Sequence, residues 1–86
     1  MLSIKRMNRC HYDPEFDILS CSFSDQKNSY GEEEPDNIVF FRDLKTDEIT
    51  GIKVLDFIKM YRENDNRILL VKRYVDLREI VKQFCL

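Results

Sequence analysis

The apolar and polar positions of this chain divide it into a strand-rich first part and a helical last part. Residues 16–23 alternate between the two classes, so Leu19, Cys21 and Phe23 share one face of a predicted strand. Serines occupy much of the opposite face, which indicates contact with water. Such alternation is typical of an antiparallel sheet that is buried on one side only.

Other segments of the first part also have the composition of strands. A first strand is predicted at 3–11, and the apolar segments 38–42 and 49–55 form a predicted hairpin. The polar loop 24–37 could hold a further short strand at 29–34.

Two short motifs shape the predicted connections. Asp13-Pro14 predicts a type I turn, because the Asp side chain can accept a hydrogen bond from the backbone two residues on and Pro presets φ. Gly51, inside the last predicted strand, indicates a bulge or the close approach of another backbone.

The last part of the chain has helical periodicity. Asp56 is the predicted N-cap of a first short helix, which the polar residues 64–66 end. Residues 67–75 fit either a helical face or a strand, and we prefer a helix. Asp76 and Glu79 match the D-x-x-E capping pattern at the start of a last helix.

These elements predict an α+β fold in one domain that spans 1–86. An antiparallel β-meander of about four strands over 1–55 packs against two or three C-terminal helices over 56–86. A chain of 86 residues buries only a thin core, and many domains of this size gain stability from a partner. We therefore expect a homodimer.

Charge is nearly balanced in total but uneven along the chain. The 14 basic and 16 acidic residues give a net charge of −2, which argues against nonspecific binding to nucleic acid. Acidic residues dominate 12–48, whereas the C-terminal region is basic. The residues that could contact nucleic acid are Lys72, Arg73, Arg78 and Lys82.

The cysteines and the N-terminal residues predict a cytoplasmic protein with reduced thiols. The three cysteines are an odd number and have no C-x-x-C spacing. The first residues are charged and no apolar segment follows them, so we predict no signal peptide. No stretch approaches the ~20 apolar residues that span a bilayer, so we expect no membrane partner.

Residues suited to catalysis or metal binding are few. His11 is the single histidine, and Cys21 on the next predicted strand could lie across from it as a thiol–imidazole pair. Cys10 could complete a metal site, but this spacing matches no zinc module. We predict no enzyme and no cofactor, and keep a small metal or thiol site at these three residues as a third hypothesis.

Aromatic residues favour a binding surface instead. Phe40 and Phe41 are neighbours on one predicted strand, so their side chains point to opposite faces and one of them is exposed unless helices cover both faces. Three consecutive glutamates in the preceding loop would protect a sheet edge from self-pairing. The candidate protein-binding residues are Phe40, Phe41, Tyr30, Glu32, Glu33 and Glu34.

Two motifs together resemble a known family. The stretch YDPEFDILSCSFSD resembles the opening of the DUF2283 family of small prokaryotic and phage proteins, and GIKVLD resembles the segment before its helix. The resemblance covers about residues 10–60. This chain has Thr46-Asp47 in place of the usual hairpin glycine and adds a basic C-terminal extension. The matching positions of the first motif are Tyr12, Asp13, Pro14, Glu15, Asp17, Leu19, Ser24 and Asp25.

The resemblance implies no catalytic residues, because that family is uncharacterised. Some of its members look like partners of small toxins, which implies an antitoxin-like role. Our first hypothesis is therefore a noncatalytic protein-interaction module that binds a toxin or host factor, or inhibits another protein. The second hypothesis is a DNA-binding autoregulator that uses the basic C-terminal helices.

Overall fold

The computed structural model describes residues 9–25 and 27–86, which fold into a five-stranded antiparallel sheet and three short helices. This confirms the predicted α+β class, with five strands where about four were expected. Residues 3–8 of the predicted first strand lie outside the described residues. The elements are β1 (Arg9–Asp13), β2 (Ile18–Ser22), β3 (Ser29–Glu33), β4 (Ile38–Asp43), β5 (Ile49–Leu55), α1 (Phe57–Arg62), α2 (Ile68–Lys72) and α3 (Leu77–Gln83).

The strand order β1-β2-β5-β4-β3 differs from a simple meander. β1 and β2 form one hairpin, and β3, β4 and β5 follow one another as antiparallel neighbours. β5 then pairs with β2 and becomes the central strand, with Val54 opposite both Leu19 and Ile38. Local patterns predict hairpins, but the choice of a nonlocal neighbour depends on which apolar faces meet in the fold.

One face of the sheet and the three helices enclose the core. Leu19, Ile38 and Val54 of the sheet are completely buried. The helices bury Phe57, Met60, Ile68, Val71, Leu77 and Ile80 in the same cluster. The predicted inner face of β2 is thereby confirmed for Leu19 and Cys21.

A predicted irregularity lies beside Gly51. The ladder between β4 and β5 pairs Phe41 with Gly51 but Arg42 with Ile49, so Thr50 is the extra residue. Thr50 is buried, and its hydroxyl lies 2.9 Å from that of Ser29. The bulge predicted from the glycine is therefore present.

The start of α1 is capped by a residue from the β1–β2 turn. Asp17 accepts hydrogen bonds from the backbone N–H of Ile58 at Oδ1 (2.9 Å) and of Lys59 at Oδ2 (3.2 Å). Its carbonyl oxygen also accepts the N–H of Phe57 at 3.0 Å. The Tyr12 hydroxyl donates to the same carboxylate at 2.6 Å. One side chain thus satisfies the helix start and joins it to the sheet.

The prediction that Asp56 caps α1 is wrong. Asp56 stands at the N-cap position with a left-handed φ of 56°, and its side chain makes no capping hydrogen bond. Its carboxylate instead accepts a hydrogen bond from the Asn37 side chain at 3.2 Å. The capping group comes from a distant part of the chain, which local sequence rules do not consider.

The other helical predictions are confirmed. Residues 67–75 contain the helix α2, and Asp76 caps α3 by accepting the N–H groups of Arg78 (3.1 Å) and Glu79 (3.3 Å). Arg67 precedes α2, where it pairs with Asp65 at 2.7 Å and donates to the carbonyl of Asp36 at 3.1 Å. This contact ties the helical layer to the β3–β4 turn.

In the described part of the chain, no helix has the length and apolar character required to cross a membrane.

We expect Asp17→Asn to lower the free energy of unfolding by about 1–2 kcal/mol, because the amide loses charged acceptors for two helix N–H groups. Asparagine tolerates the left-handed φ of 56° at this position, so the change adds no backbone strain and acts through the hydrogen bonds of the carboxylate. Urea unfolding measures it. The matched control is Glu15→Ala in the same turn, because Glu15 is exposed and its side chain has no described partner. The free energy of unfolding of this control should stay within about 0.5 kcal/mol of the wild-type value. Equal effects of the two changes would contradict the capping role.

We expect the Tyr12 phenol to ionise near pH 12. Burial raises its pKa from 10.0 to about 12, helped by the hydrogen bond to Asp17 and the charge of that carboxylate. Because the folded pKa is raised, this contribution to stability is present below pH 10 and is lost as pH rises toward 12. An ultraviolet titration of the folded protein should show a late step that Tyr12→Phe removes. If Tyr12→Phe instead removed a titration step near pH 10, the assignment of the late step to Tyr12 would be contradicted.

Candidate functional site

The two adjacent phenylalanines of β4 point to opposite sides of the sheet. The Phe40 ring lies 5.5 Å from the Tyr74 ring, on the side covered by the helices. Phe41 lies on the other side, together with Val39, where both side chains approach Gly31 of β3. Of the two phenylalanines, Phe41 is therefore the one that points outward, as the sequence predicted for one of them.

The side of the sheet that carries Phe41, which we call the outer face, has a central part formed by six side chains from the three strands β2, β4 and β5. Among the described residues, none of its apolar members belongs to the hydrophobic cluster that includes the three helices. Side chains alternate between the two faces along each strand, which places on the outer face Ile18, Ser20, Val39, Phe41, Lys53 and Leu55. All six of these residues are only partly buried.

Lys53 occupies the centre of the outer face. It lies on the middle strand, directly opposite Ser20 on one side and Val39 on the other. Within the described chain, no carboxylate forms an ion pair with it. An ammonium group among apolar side chains is thus available for an external acceptor.

Glycine lets the Phe41 ring lie close to the backbone of β3. A Cβ atom at Gly31 would come within 2.9 Å of Phe41 Cε1 and 3.1 Å of Val39 Cγ1. The absence of a side chain there is what allows the aromatic ring to cover the strand. The Phe41 ring thus covers the backbone of β3, and its residue lies diagonally across the β4–β5 ladder from Lys53.

The acidic candidates lie along β3, at the edge of the sheet. The Tyr30 hydroxyl donates to Asp47 at 3.0 Å, and Glu33 accepts the backbone N–H of Asn37 at 2.9 Å. Glu32 lies 3.6 Å from Arg42. Several of these residues therefore have partners within the chain, and the three consecutive glutamates still make this edge of the sheet acidic.

A groove of about 300 Å³, which we call the β3 groove, separates this edge from α2. It brings together three of the sequence candidates, Phe40, Glu32 and Glu34. Arg42 completes the sheet side, and the helical side consists of Leu70, Arg73 and Tyr74.

The basic candidates lie mostly around a second concavity. A cleft of about 1010 Å³ between the helices, the helical cleft, is bordered by Lys72, Arg73 and Arg78, whereas Lys82 is not among its lining residues. Leu69 and Tyr74 expose apolar surface in the same cleft. In the described chain, none of the three bordering cations forms an ion pair.

The cysteines are arranged differently from the prediction. Cys10 and Cys21 stand opposite each other on β1 and β2, with Cα atoms 4.0 Å apart, and their sulfurs form a disulfide. His11 is paired with Ser20, so the thiol–imidazole pair of His11 and Cys21 kept in the third hypothesis is not formed. The prediction of three reduced thiols also fails, because the hairpin register that aligns the cysteines has no signature in their spacing.

A metal site built on these residues is not assembled in the fold. The outward direction of His11 separates its ring from the two sulfurs by the thickness of the sheet. Over residues 9–25 and 27–86, no group of three His, Cys, Asp or Glu side chains is placed to hold a metal ion.

Comparison of the chain with family models, with curated proteins and with solved structures finds no match. The resemblance to the DUF2283 family therefore stays a prediction.

Sequence reasoning missed the lysine of the outer face. The signal is present in the segment ITGIKVL, where Lys53 stands between the buried residues Ile52 and Val54. Period-2 alternation would have placed it opposite the core, beside Leu55. Its central position became evident only when β5 proved to be the middle strand.

We expect the purified, unreduced protein to titrate one thiol after denaturation, because Cys85 is free and the other two cysteines are joined. Thiol titration with and without a reductant measures this. The control Cys85→Ser should titrate none until a reductant is added. Three thiols in the unreduced wild type would contradict the pairing and restore the prediction from sequence.

Proposed function

We propose that this chain is a noncatalytic protein-interaction module that binds another protein through the outer face. The observation that carries the proposal is the combination of Phe41, Val39 and Leu55 with an unpaired Lys53 on a sheet face outside the helical core. Aromatic residues are enriched at the centre of protein interfaces, so Phe41 is the proposed anchor. Lysine is depleted there, so Lys53 restricts which partner can bind.

The charge of Lys53 selects the kind of partner. Burying an unpaired ammonium group is costly, so a bound partner must present a carboxylate opposite it within an otherwise apolar surface. Two copies packed face to face about a central two-fold axis would bring the two Lys53 side chains together. The outer face therefore favours a different protein, and the homodimer expected from the sequence would need another surface.

The proposed role is antitoxin-like, or more generally that of an inhibitor. Its support is the resemblance of residues 10–60 to DUF2283 proteins and the small size of a domain that has one open sheet face. A cytoplasmic toxin or host factor would be the partner.

We expect Lys53→Glu to abolish capture of a partner from a lysate of the source organism, because a carboxylate would then face the carboxylate of the partner. The matched control is Lys59→Glu, which makes the same charge change on an exposed position of α1. Affinity capture with both variants, followed by calorimetry with the purified captured protein, measures the effect. Lys53→Arg should retain binding.

Three outcomes would contradict this proposal. Capture by Lys53→Glu at the wild-type level would exclude the outer face. Loss of capture confined to Lys72→Ala or Arg78→Ala would move binding to the helical cleft. A gel shift with DNA that persists at moderate salt and requires these two residues would support the second candidate function, a DNA-binding autoregulator.

That second candidate depends on one observation. The helical cleft is bordered by three cations without ion pairs in the described chain. Its apolar lining, including Leu69, fits a ligand with side chains better than a phosphate backbone, so we place it second.

A further inference from the structure

The free edge of β3 carries a second recognition surface. We propose that it binds an extended, basic segment of a protein as a sixth strand of the sheet. This inference does not rest on Lys53 of the outer face, because it concerns backbone pairing at an edge and a different set of charges.

β3 is the last strand of the sheet and pairs only with β4. In an antiparallel pair, alternate residues direct their N–H and C=O groups toward the neighbour, and the others direct theirs away. The N–H of Glu34 donates to the carbonyl of Ile38, and the carbonyl of Asn28 accepts the N–H of Leu44. Even-numbered residues therefore face β4, and Gly31 and Glu33 direct their backbone groups outward.

The outward groups are accessible. Residues 30–33 are all exposed, so nothing in the described chain covers the edge. β1 is the other edge strand, and two of its five residues are exposed, compared with four of five in β3. Of the two edges, β3 is therefore the more open one.

Charge decides which extended segment can pair there. The edge carries three consecutive glutamates, and within the described chain only Glu32 has a cation within 4.0 Å. Opposite charges across paired strands are stabilising and like charges are destabilising, each by roughly 0.2–1 kcal/mol per pair. A second copy of this edge is thus repelled, and a segment rich in lysine or arginine is favoured.

The two faces of β3 specify the order of side chains in the bound segment. A residue opposite Gly31 would lie on the outer face beside Phe41 and Val39, so an apolar side chain fits there. A residue opposite Glu32 would lie over the β3 groove, where its charge meets the carboxylates of Glu32 and Glu34. Arg42, which lies 3.6 Å from Glu32, and Arg73 on the far wall also line that groove. The basic side chain must therefore stay near the strand, where Glu34 has no cation within 4.0 Å among the described residues.

The test uses a blocked peptide of alternating lysine and valine residues, added to the full-length, isotopically labelled protein. We expect the amide protons of Gly31 and Glu33 to shift and to exchange more slowly with solvent. A peptide with glutamate in place of lysine should cause no shift. A version N-methylated at alternate residues keeps the charge but cannot donate the strand hydrogen bonds, and should not bind.

A variant pair separates charge from folding. Glu32→Lys with Glu34→Lys should weaken binding by about tenfold, from two lost pairs and two new repulsions. Glu15→Lys plus Glu63→Lys makes the same charge change at exposed positions of the β1–β2 turn and the end of α1, and should bind as the wild type does.

Each alternative outcome overturns the proposal. Shifts confined to β1 would place pairing at the other edge, and equal binding of the N-methylated peptide would reduce the effect to charge attraction alone. Self-association in sedimentation experiments that the double variant removes would assign the edge to a second copy. All of these results would leave the proposal about the outer face untouched.

Discussion

The carboxylate of Asp17 is the contact on which the arrangement of the two layers depends. It sits in the β1–β2 turn with a left-handed φ of 56°, and it accepts the N–H groups of Ile58 and Lys59, about 40 positions later in the chain. The first N–H groups of a helix have no partner within the helix, so an external acceptor is needed at a half-buried start. Tyr12 holds the acceptor from the sheet side. The position of α1, and with it the helical layer, follows from this single side chain.

The same anchoring explains why the back and the edge of the sheet are the surfaces left for the proposed binding. The chain leaves the central strand β5 directly into α1, and the three short helices that follow bury their apolar residues in one cluster with the inner face. Among the described residues, all three helices pack on the inner face, and none of them covers Phe41 and Lys53. One helical layer thus leaves the other sheet face and the strand β3 uncovered by these helices.

Local features were predictable because they depend on neighbouring residues. The alternation of Leu19 and Cys21, the hairpin of β4 and β5, and the cap at Asp76 all follow from side chains a few positions apart. Predictions that needed a distant contact failed. Asp56 has the right residue type for a cap, but the nearer and better-placed acceptor is Asp17. The sequence left open whether Cys21 could face His11, and the hairpin register pairs it with Cys10 instead.

The sequence by itself determined the class of fold and the presence of an outward aromatic residue, because residue periodicity decides which side chains can be buried together. Only the tertiary structure decided that this residue is Phe41, that Lys53 lies at the centre of the same face, and that β3 is an open acidic edge. The physical reason is that strand order is set by nonlocal packing. Between β2 and β4, Ile52 and Val54 of β5 have core residues as neighbours on both sides, and both are buried in the core. The pairs are Cys21 and Phe40 with Ile52, and Leu19 and Ile38 with Val54.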